Sequence, residues 1–269
     1  MIHITDLEIC PRYYLFRIRC IAMKEVLALI EKKKQEFAKS RLFEFMQDKS
    51  IDPRQRLAFA PCVAPFAMSF GELNKYVLRE EPTNDPLQEI VNNHTYEDDH
   101  HWLWFLEDLE TLGINRSLKF SDSLKFLWNE EIKASRSLTY QIFRYAFRAS
   151  PVTKLVILEV IEATGNVFLL TAAPLAQELR TITQKELLYF GCFHLAVETG
   201  HTTGTPEVEQ SIKNIQLTIE NRQQAFEVVE NLFEAFTKLT DELLVYAKTH
   251  SFDQPFAKPR QIWQPLKAA

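Results

Sequence analysis

The chain has 269 residues, of which 46% are apolar and 25% are charged, as in an ordinary globular protein. The formal net charge of −5 disfavours a nucleic-acid-binding surface, because such surfaces carry an excess of basic residues. The N-terminal residues lack the basic start and apolar block of a secretory signal, and no apolar run stands out as long enough to span a bilayer. We therefore expect a cytoplasmic protein without a membrane partner.

Four widely spaced cysteines, Cys10, Cys20, Cys62 and Cys192, form no Cys-x2-Cys pair. Their spacing excludes a zinc ribbon or a thioredoxin-type motif, and we expect buried thiols in a reducing compartment. Only six glycines occur, which favours helices over turn-rich β structure. No internal repeat or Ser/Gly linker marks a boundary, so we expect one all-α domain over residues 1–269.

The first half of the chain predicts three helices. The apolar spacing indicates helices over residues 24–47, over 54–79 with bends or breaks at Pro61 and Pro65, and over 85–112. Gly113 follows the third of these helices as a natural C-cap.

The second half continues the helical pattern. Residues 121–134 and 138–148 form one broken helical segment, and a long apolar stretch begins at Pro151. This stretch is interpreted as a helix because Glu159 and Glu162 recur at helical spacing. Thr183 and Glu186 then predict a capping box for a helix over 184–201, and a long amphipathic helix follows over 207–248. With no strand pairs expected, the fold class is an all-α bundle of about seven helices.

The segment FHLAVETGH places His194, Glu198 and His201 at positions i, i+4 and i+7 of a helix. This spacing brings two imidazoles and one carboxylate onto one face. Fe(II), Mn(II) and Zn(II) accept such ligands. The flanking residues are apolar, so the face is expected to be buried, where ionisable groups need partners or a metal. The alternative is a set of polar residues on a solvated face.

A second cluster lies in NNHTYEDDHHWLWFLEDLETLG, residues 92–113. Glu97 shares a helix face with His101 at i+4 or with His100 at i+3, and His94 lies one turn earlier on the same side. Adjacent histidines diverge by about 100°, so His100 and His101 cannot both point at one site.

Glu159 and Glu162 interrupt an otherwise apolar run and form the third cluster. A buried glutamate needs a cation, a hydrogen-bond donor or a metal, and an arginine salt bridge is the alternative. Glu162 is favoured because its helix directly precedes the one that carries His194. The six candidate ligands would suit two irons bridged by carboxylate, with positions left open for O2: Glu97, His101, Glu162, His194, Glu198 and His201.

The order of these residues resembles the heme-oxygenase-like diiron oxidases and oxygenases, which are similar in fold to TenA, PqqC and CADD. The family pattern has Glu and His on an early helix, Glu on a middle helix, and then His-x3-Asp-x2-His. The phrase HWLWFLEDLETLG also resembles the family, which favours His101 over His100. The chain departs from the pattern at Glu198, which stands where Asp is usual, and at His94, which stands where some members place the carboxylate.

The resemblance implies an O2-dependent enzyme with two iron ions, or manganese as the alternative. Its substrate would be an amino acid, an amine or a fatty acid. The aromatic residues Trp102, Trp104, Phe190 and Phe193 would line the pocket or, for most of them, pack in the core. The resemblance leaves open whether His100, His94 or Glu159 replaces one of the ligands, and whether the protein is a homodimer.

Three other interpretations stay open. Two Glu-x2-His motifs, at Glu97–His100 and Glu198–His201, also resemble ferritin-like diiron N-oxygenases, for which Glu72 would be the first-helix glutamate. A metal-free relative of TenA or PqqC is the second interpretation, and its hydrolytic form would need a nucleophilic cysteine, for which Cys192 is the candidate. The third is a non-catalytic helical module that binds a partner or stores metal.

Overall fold

A computed structural model of the chain describes residues 21–115, 117–199 and 206–256. These residues form twelve α-helices, so the predicted all-α class is confirmed, but the number of helices exceeds seven because several predicted helices are split. The helices are α1 (Lys24–Phe37), α2 (Arg41–Gln47), α3 (Pro53–Arg56), α4 (Ala64–Leu73), α5 (Pro86–Asp98), α6 (His101–Thr111), α7 (Phe120–Leu127), α8 (Lys133–Ala146), α9 (Pro151–Thr183), α10 (Cys192–Thr199), α11 (Pro206–Lys213) and α12 (Ile219–Thr249).

The splits in the first half follow from local backbone chemistry. Ser40 is extended, with ψ of 136°, and it separates α1 from α2. The predicted breaks near Pro61 and Pro65 are confirmed, because a 3-10 helix spans Ala60–Val63 and α4 carries Pro65 in its first turn. A π-helix, Asn74–Leu78, continues α4.

The predicted helix over 85–112 is interrupted between α5 and α6. His100 has φ of −124° and ψ of 0°, so it leaves the helical conformation and serves as the N-cap of α6. Gly113 ends α6 as predicted, with φ of +70°, and the Ile114 N–H donates to the Leu109 carbonyl at 3.0 Å. Each half of the predicted helix can therefore take its own direction.

Helix α9 is central to the bundle and packs against α1, α5, α10 and α12. The side chain of Ser150 accepts a hydrogen bond from the Thr153 N–H at 3.3 Å and caps its start. Gln184 ends it in the left-handed conformation, with φ of +58°. The interpretation of this stretch as a helix is confirmed.

The predicted helix over 184–201 is wrong in its first half. Thr183 is the last residue of α9 rather than an N-cap, and residues 184–191 are not helical. The physical reason lies in tertiary contacts, because the Asp108 carboxylate accepts the N–H groups of Leu188 and Phe190. Only α10 remains helical in this stretch.

The predicted helix over 207–248 is also interrupted, and the expected absence of strand pairs is wrong. Between α11 and α12 lies a two-residue strand, β2 (Gln216–Leu217), which pairs antiparallel with the strand β1 (Ile21–Ala22) that precedes α1. The Met23 N–H donates to the Ile215 carbonyl at 2.9 Å and extends this pairing. Thr218 then caps α12 through its hydroxyl, which accepts the Asn221 N–H at 3.1 Å.

Among the described residues one helix, α9, is long and apolar enough to cross a membrane by length and composition alone. The expectation that no run reaches this length is therefore wrong by this measure. However, 67% of its most apolar 18-residue stretch is buried inside the protein. Its apolar character is accounted for by its central place in the bundle.

A buried polar network fixes the approach to α5. The ammonium group of Lys154 on α9 is fully buried and donates to the Leu78 carbonyl at 3.0 Å and to Glu80 Oε1 at 2.7 Å. It also lies 3.2 Å from Oε1 of Gln88 on α5. A buried ammonium group is tolerated only when its donors are satisfied, so this network ties α5 to α9.

Gly71 on α4 allows a close approach to the α5–α6 junction. A Cβ atom there would lie 2.9 Å from the Asp99 carbonyl oxygen and 3.0 Å from the Trp102 indole. We predict that Gly71→Ala lowers the free energy of unfolding by about 1–3 kcal/mol through overpacking, as measured by urea denaturation. The control is Gly165→Ala in α9, where a Cβ atom would meet nothing within 4 Å.

The control substitution is expected to stabilise the protein by about 0.5–1 kcal/mol, because alanine is the better helix former. Equal effects of the two substitutions would contradict the packing described at the α5–α6 junction.

Candidate metal centre

Four helices bring ionisable side chains together inside the bundle. The end of α5 and the start of α6 contribute three residues, α9 contributes one and α10 contributes two. Their ligand atoms form two groups, and within each group the atoms lie within 4.8 Å of one another. The first group is His101, His194 and Glu198, and the second group is His94, Asp98 and Glu162.

The first group consists of two imidazoles and one carboxylate. His194 Nε2 lies 3.1 Å from His101 Nδ1 and 2.8 Å from Glu198 Oε1. The third side of the triangle, from His101 Nδ1 to Glu198 Oε1, measures 3.4 Å. Both histidines are buried. Two histidines and one carboxylate around a common point match the ligand set of non-heme Fe(II) oxygenases.

A backbone carbonyl orients His194. Its Nδ1 atom lies 2.8 Å from the carbonyl oxygen of Tyr189, which can only accept, so Nδ1 carries the hydrogen. In the neutral ring this leaves the lone pair on Nε2, which is the atom that faces His101 and Glu198. Histidine ligands are oriented in this way in metal sites, where the second ring nitrogen donates to a carbonyl or carboxylate.

The second group consists of one imidazole and two carboxylates. His94 Nε2 lies 3.1 Å from Asp98 Oδ2 and 3.2 Å from Glu162 Oε1. His94 is fully buried and Asp98 is 2% exposed. His94 and Asp98 are one turn apart on α5, so both side chains point to the same side.

Asp98 connects the two groups. One of its oxygens faces His94 at 3.1 Å, and the other, Oδ1, lies 3.8 Å from His101 Nδ1 of the first group. The two groups therefore form one continuous cluster. A carboxylate that faces two ligand sets from its two oxygens can bridge two cations.

The spacing of the donor atoms fits metal coordination. With bonds of about 2.1 Å to nitrogen and oxygen, neighbouring ligand atoms lie roughly 3.0 Å apart in octahedral sites and roughly 3.4 Å apart in tetrahedral sites. The contacts of 2.8–3.4 Å in the first group and of 3.1–3.2 Å in the second span these values. The residues present therefore fit divalent cations in both number and type of donor.

Burial and neighbouring charges shift the pKa values of Glu162 and His94 in the second group. Burial raises the pKa of Glu162 well above its usual range, and repulsion from Glu198 and Asp98 adds to this effect against the opposing influence of His94. For His94, burial lowers the pKa, but attraction and hydrogen bonding to Asp98 and Glu162 outweigh it and raise the pKa well above its usual value. A divalent cation would relieve the repulsion between these carboxylates.

Four of the six ligands predicted from the sequence come together in the cluster: His101, Glu162, His194 and Glu198. Glu97 lies outside both groups, 29% exposed, with Oε2 3.9 Å from His94 Nδ1. The α5–α6 break explains this position, because Glu97 and His101 do not share one continuous helix. His201 lies outside the described residues. Of the alternatives, His94 joins the cluster, whereas His100 is half exposed and Glu159 belongs to neither group.

Asp98 is the residue that sequence reasoning missed. A signal was available, because His94, Asp98 and His101 are spaced as His-x3-Asp-x2-His. This spacing repeats the His-x3-Glu-x2-His arrangement of residues 194–201. The adjacent Glu97 obscured it by offering a glutamate at i−4 from His101, which a continuous helix would have placed on the same face.

An apolar cavity of about 120 Å³ adjoins the cluster, with Asp98, Glu162 and Glu198 in its wall. On the scale in which one water molecule occupies about 10–15 Å³, it has room for roughly ten waters. The remaining wall is mostly aromatic and aliphatic and includes Phe66, Phe70, Trp102, Phe168, Phe236 and Leu243. The cavity can therefore hold an organic molecule beside the ligand atoms.

The four predicted pocket aromatics take different places. Trp102 lines the cavity, and Trp104 stacks on the His101 ring with centroids 4.3 Å apart. Phe193 packs edge-on against Trp104 at 5.0 Å. Phe190 is fully buried in the core. Trp104 thus backs a candidate ligand rather than the cavity itself.

The opposite side of the cluster faces a polar groove. Glu162 and Glu198 line this groove as well as the apolar cavity, together with Glu159 and Lys34. Burial raises the pKa of Glu159, and the nearby His94 opposes this shift. The two carboxylates therefore separate an apolar interior from a polar surface.

The positions of Glu72 and Cys192 bear on the other interpretations of the sequence. Glu72, the first-helix glutamate of a ferritin-like arrangement, is exposed on α4. Cys192, the candidate nucleophile of a TenA-like hydrolase, is exposed rather than buried as expected, and it does not line the cavity. Cys62 is buried as expected, and Cys10 and Cys20 lie outside the described residues.

Comparison with known proteins supports the fold. No family model matches the sequence, and no curated protein matches it either. A TenA homolog from Pseudomonas syringae pv. tomato has a TM-score of 0.61 at 10% identity, over 82% of this chain and 92% of that chain. A domain of unknown function with a heme oxygenase-like fold, from Shewanella denitrificans, has a TM-score of 0.53 at 14% identity, over 90% of this chain and 99% of that chain.

At these identities the likeness establishes the fold. The chain adopts the all-α heme-oxygenase-like fold that TenA-type proteins share, as its sequence predicted. Activity must be argued from the site itself, because one fold hosts many functions.

Asp98 and its neighbour Glu97 form a matched pair for testing the cluster. We predict that Asp98→Asn lowers the affinity for Fe(II) or Co(II) at least tenfold, because the amide offers one weaker acceptor in place of two charged oxygens. Glu97→Gln should leave the affinity within about twofold. Metal analysis and chelator competition measure both. Loss of affinity in Glu97→Gln with full affinity in Asp98→Asn would contradict the ligand geometry described above.

Proposed function

We propose that this protein is a metal-dependent oxidoreductase that uses O2 and holds two iron ions, with manganese as the alternative metal. The observation that carries the proposal is the set of two histidines and one carboxylate that lines an apolar cavity. His101, His194 and Glu198 would hold one ion. His94, Asp98 and Glu162 would hold the other, and His201 remains a ligand predicted from the sequence alone.

When bound, ferrous iron would supply electrons and open coordination positions for the reduction of O2. The protein's own contribution is structural. Tyr189 keeps the His194 proton on Nδ1 through its carbonyl, so Nε2 presents a lone pair. The apolar wall lowers the local dielectric constant and so strengthens electrostatic interactions inside the cavity.

The cavity wall favours one of the three substrate classes. Apart from the ligand residues, the polar side chains that line it are Thr164, Tyr189 and Thr240, and its described residues include no lysine or arginine. An amino acid would bring two charged groups into a wall that has no cationic side chain, and bound metal ions would repel its ammonium group as they would that of an amine. A fatty acid brings a single carboxylate, which bound metal ions would attract. A long hydrocarbon chain would find apolar contacts along its length, so we favour the fatty-acid class over amino acids and amines.

Reaction with O2 can be tested without a known substrate. Anaerobic ferrous protein mixed with O2 in a stopped-flow spectrometer is expected to consume O2 with an absorbance change, and His194→Ala should lose both. Cys192→Ser is the matched control and should retain both, because the thiol lies outside the cavity. O2 consumption by metal-free protein would instead favour a PqqC-like oxidase, and hydrolysis that depends on Cys192 would favour a TenA-like enzyme.

The size and character of the cavity give a further prediction. Gly165 lines the cavity, and a Cβ atom there would meet open space. We expect metal-loaded protein to bind octanoate at least tenfold more tightly than octylamine or leucine, because bound cations attract a carboxylate and repel an ammonium group. Gly165→Leu should weaken octanoate binding at least tenfold by filling the cavity. Isothermal titration calorimetry measures both. Gly165→Ala is the smaller control and should retain most of the affinity; a preference for leucine would contradict the proposed substrate class.

A further inference from the structure

Asp108 is a buried carboxylate that the proposed function does not use directly. It lies on α6, two turns after His101, and is 1% exposed. Its two oxygens accept backbone hydrogen bonds from the Leu188 N–H at 2.6 Å and from the Phe190 N–H at 2.9 Å. Burial raises its pKa to about 6, against these hydrogen bonds, which favour the charged form. The buried carboxylate of Asp108 therefore attaches the loop before α10 to helix α6.

The two donors bracket Tyr189, the residue whose carbonyl orients His194. With the N–H groups of Leu188 and Phe190 fixed on either side, the carbonyl of Tyr189 is held in one direction. That carbonyl accepts the hydrogen of His194 Nδ1 at 2.8 Å. The Leu188 carbonyl also accepts the His194 backbone N–H, at 3.3 Å. The ring of His194 is thus held by the same peptide unit, Tyr189–Phe190, whose N–H donates to Asp108. Its backbone is held by the carbonyl of Leu188, the residue whose own N–H donates to Asp108.

The loop is packed closely on itself, and residue 191 has no room for a side chain. Gly191 approaches the Leu187 carbonyl so closely that a Cβ atom would lie 1.8 Å from the oxygen. Hydrogen bonds to a buried charged acceptor are stronger than those between neutral groups. Without the carboxylate, the loop would lose two such bonds and the compact turn would no longer be fixed to α6.

We propose that Asp108 is a positioning residue for His194, and that it couples the orientation of His194 on α10 to that of His101 on α6. A single helix then carries both a candidate ligand and the anchor for its partner. The part of this inference that concerns metal affinity rests on the proposed function, whereas the part that concerns the histidine ring does not.

The first test uses metal-free protein. In Asp108→Asn the amide nitrogen cannot accept an N–H, so one of the two loop donors loses its partner. We expect the His194 ring to change from a single tautomer with hydrogen on Nδ1 to a mixture. NMR of protein labelled with ¹⁵N-histidine reports the tautomer, and His194→Gln assigns the signals. Glu107→Gln, at the exposed neighbouring position on α6, is the control and should leave the tautomer unchanged.

The second test uses Co(II) as the probe. Asp108→Asn is expected to lower Co(II) affinity about 10- to 100-fold, as loss of a supporting hydrogen bond to a ligand does, and to change the visible Co(II) spectrum. Asp108→Glu keeps both acceptor oxygens and is expected to lose less affinity. If Asp108→Asn does not fold, Asp108→Glu carries the test through a smaller shift in the same tautomer and spectral signals.

The outcomes separate the two proposals. An unchanged His194 tautomer in both folded Asp108 variants would overturn the positioning role, whatever the metal affinity. Wild-type protein that binds no metal, with a tautomer that nevertheless responds to Asp108→Asn, would overturn the proposed function and keep the positioning role.

Discussion

The structure depends on the removal of three carboxylates and three imidazoles from water inside an apolar bundle. The desolvation penalty for each buried ion is several kcal/mol, so the donors must meet one another, the backbone or a cation at close distance. The contacts of 2.8–3.4 Å within the two groups meet this requirement. The surrounding helices hold these side chains in place because each is anchored by its own polar contacts, such as the Lys154 network beside α5.

The sequence predicted the features that depend on local periodicity. The helical interpretation of the stretch after Pro151, the breaks near Pro61 and Pro65, and the cap at Gly113 follow from residue chemistry within a few positions. The convergence of His101, Glu162, His194 and Glu198 was predicted because polar residues in apolar runs must find partners inside the bundle.

The sequence could not predict features that depend on distant contacts. The capping box at Thr183 failed because Asp108, 75 positions earlier in the chain, accepts the N–H groups of the following loop. The long C-terminal helix is interrupted because residues near its start pair with the strand that precedes α1. The position of Asp98 inside the cluster and of Glu97 outside it depends on the helix break at His100, and no glycine or proline in the sequence signals that break.

The break between α5 and α6 also has a mechanical consequence. Asp98 and His101 are three residues apart, yet they belong to different helices that are anchored by separate contacts. The guanidinium group of Arg79 donates hydrogen bonds to the Thr95 hydroxyl near the end of α5, at 2.9 Å, and to the Asp99 carboxylate at the α5–α6 junction, at 2.8 Å. Asp108 instead attaches α6 to the loop before α10. Substitutions beside one anchoring contact can therefore shift the metal-ligand atoms of one group while the ligand atoms of the other group keep their positions. The two groups can then diverge independently during evolution.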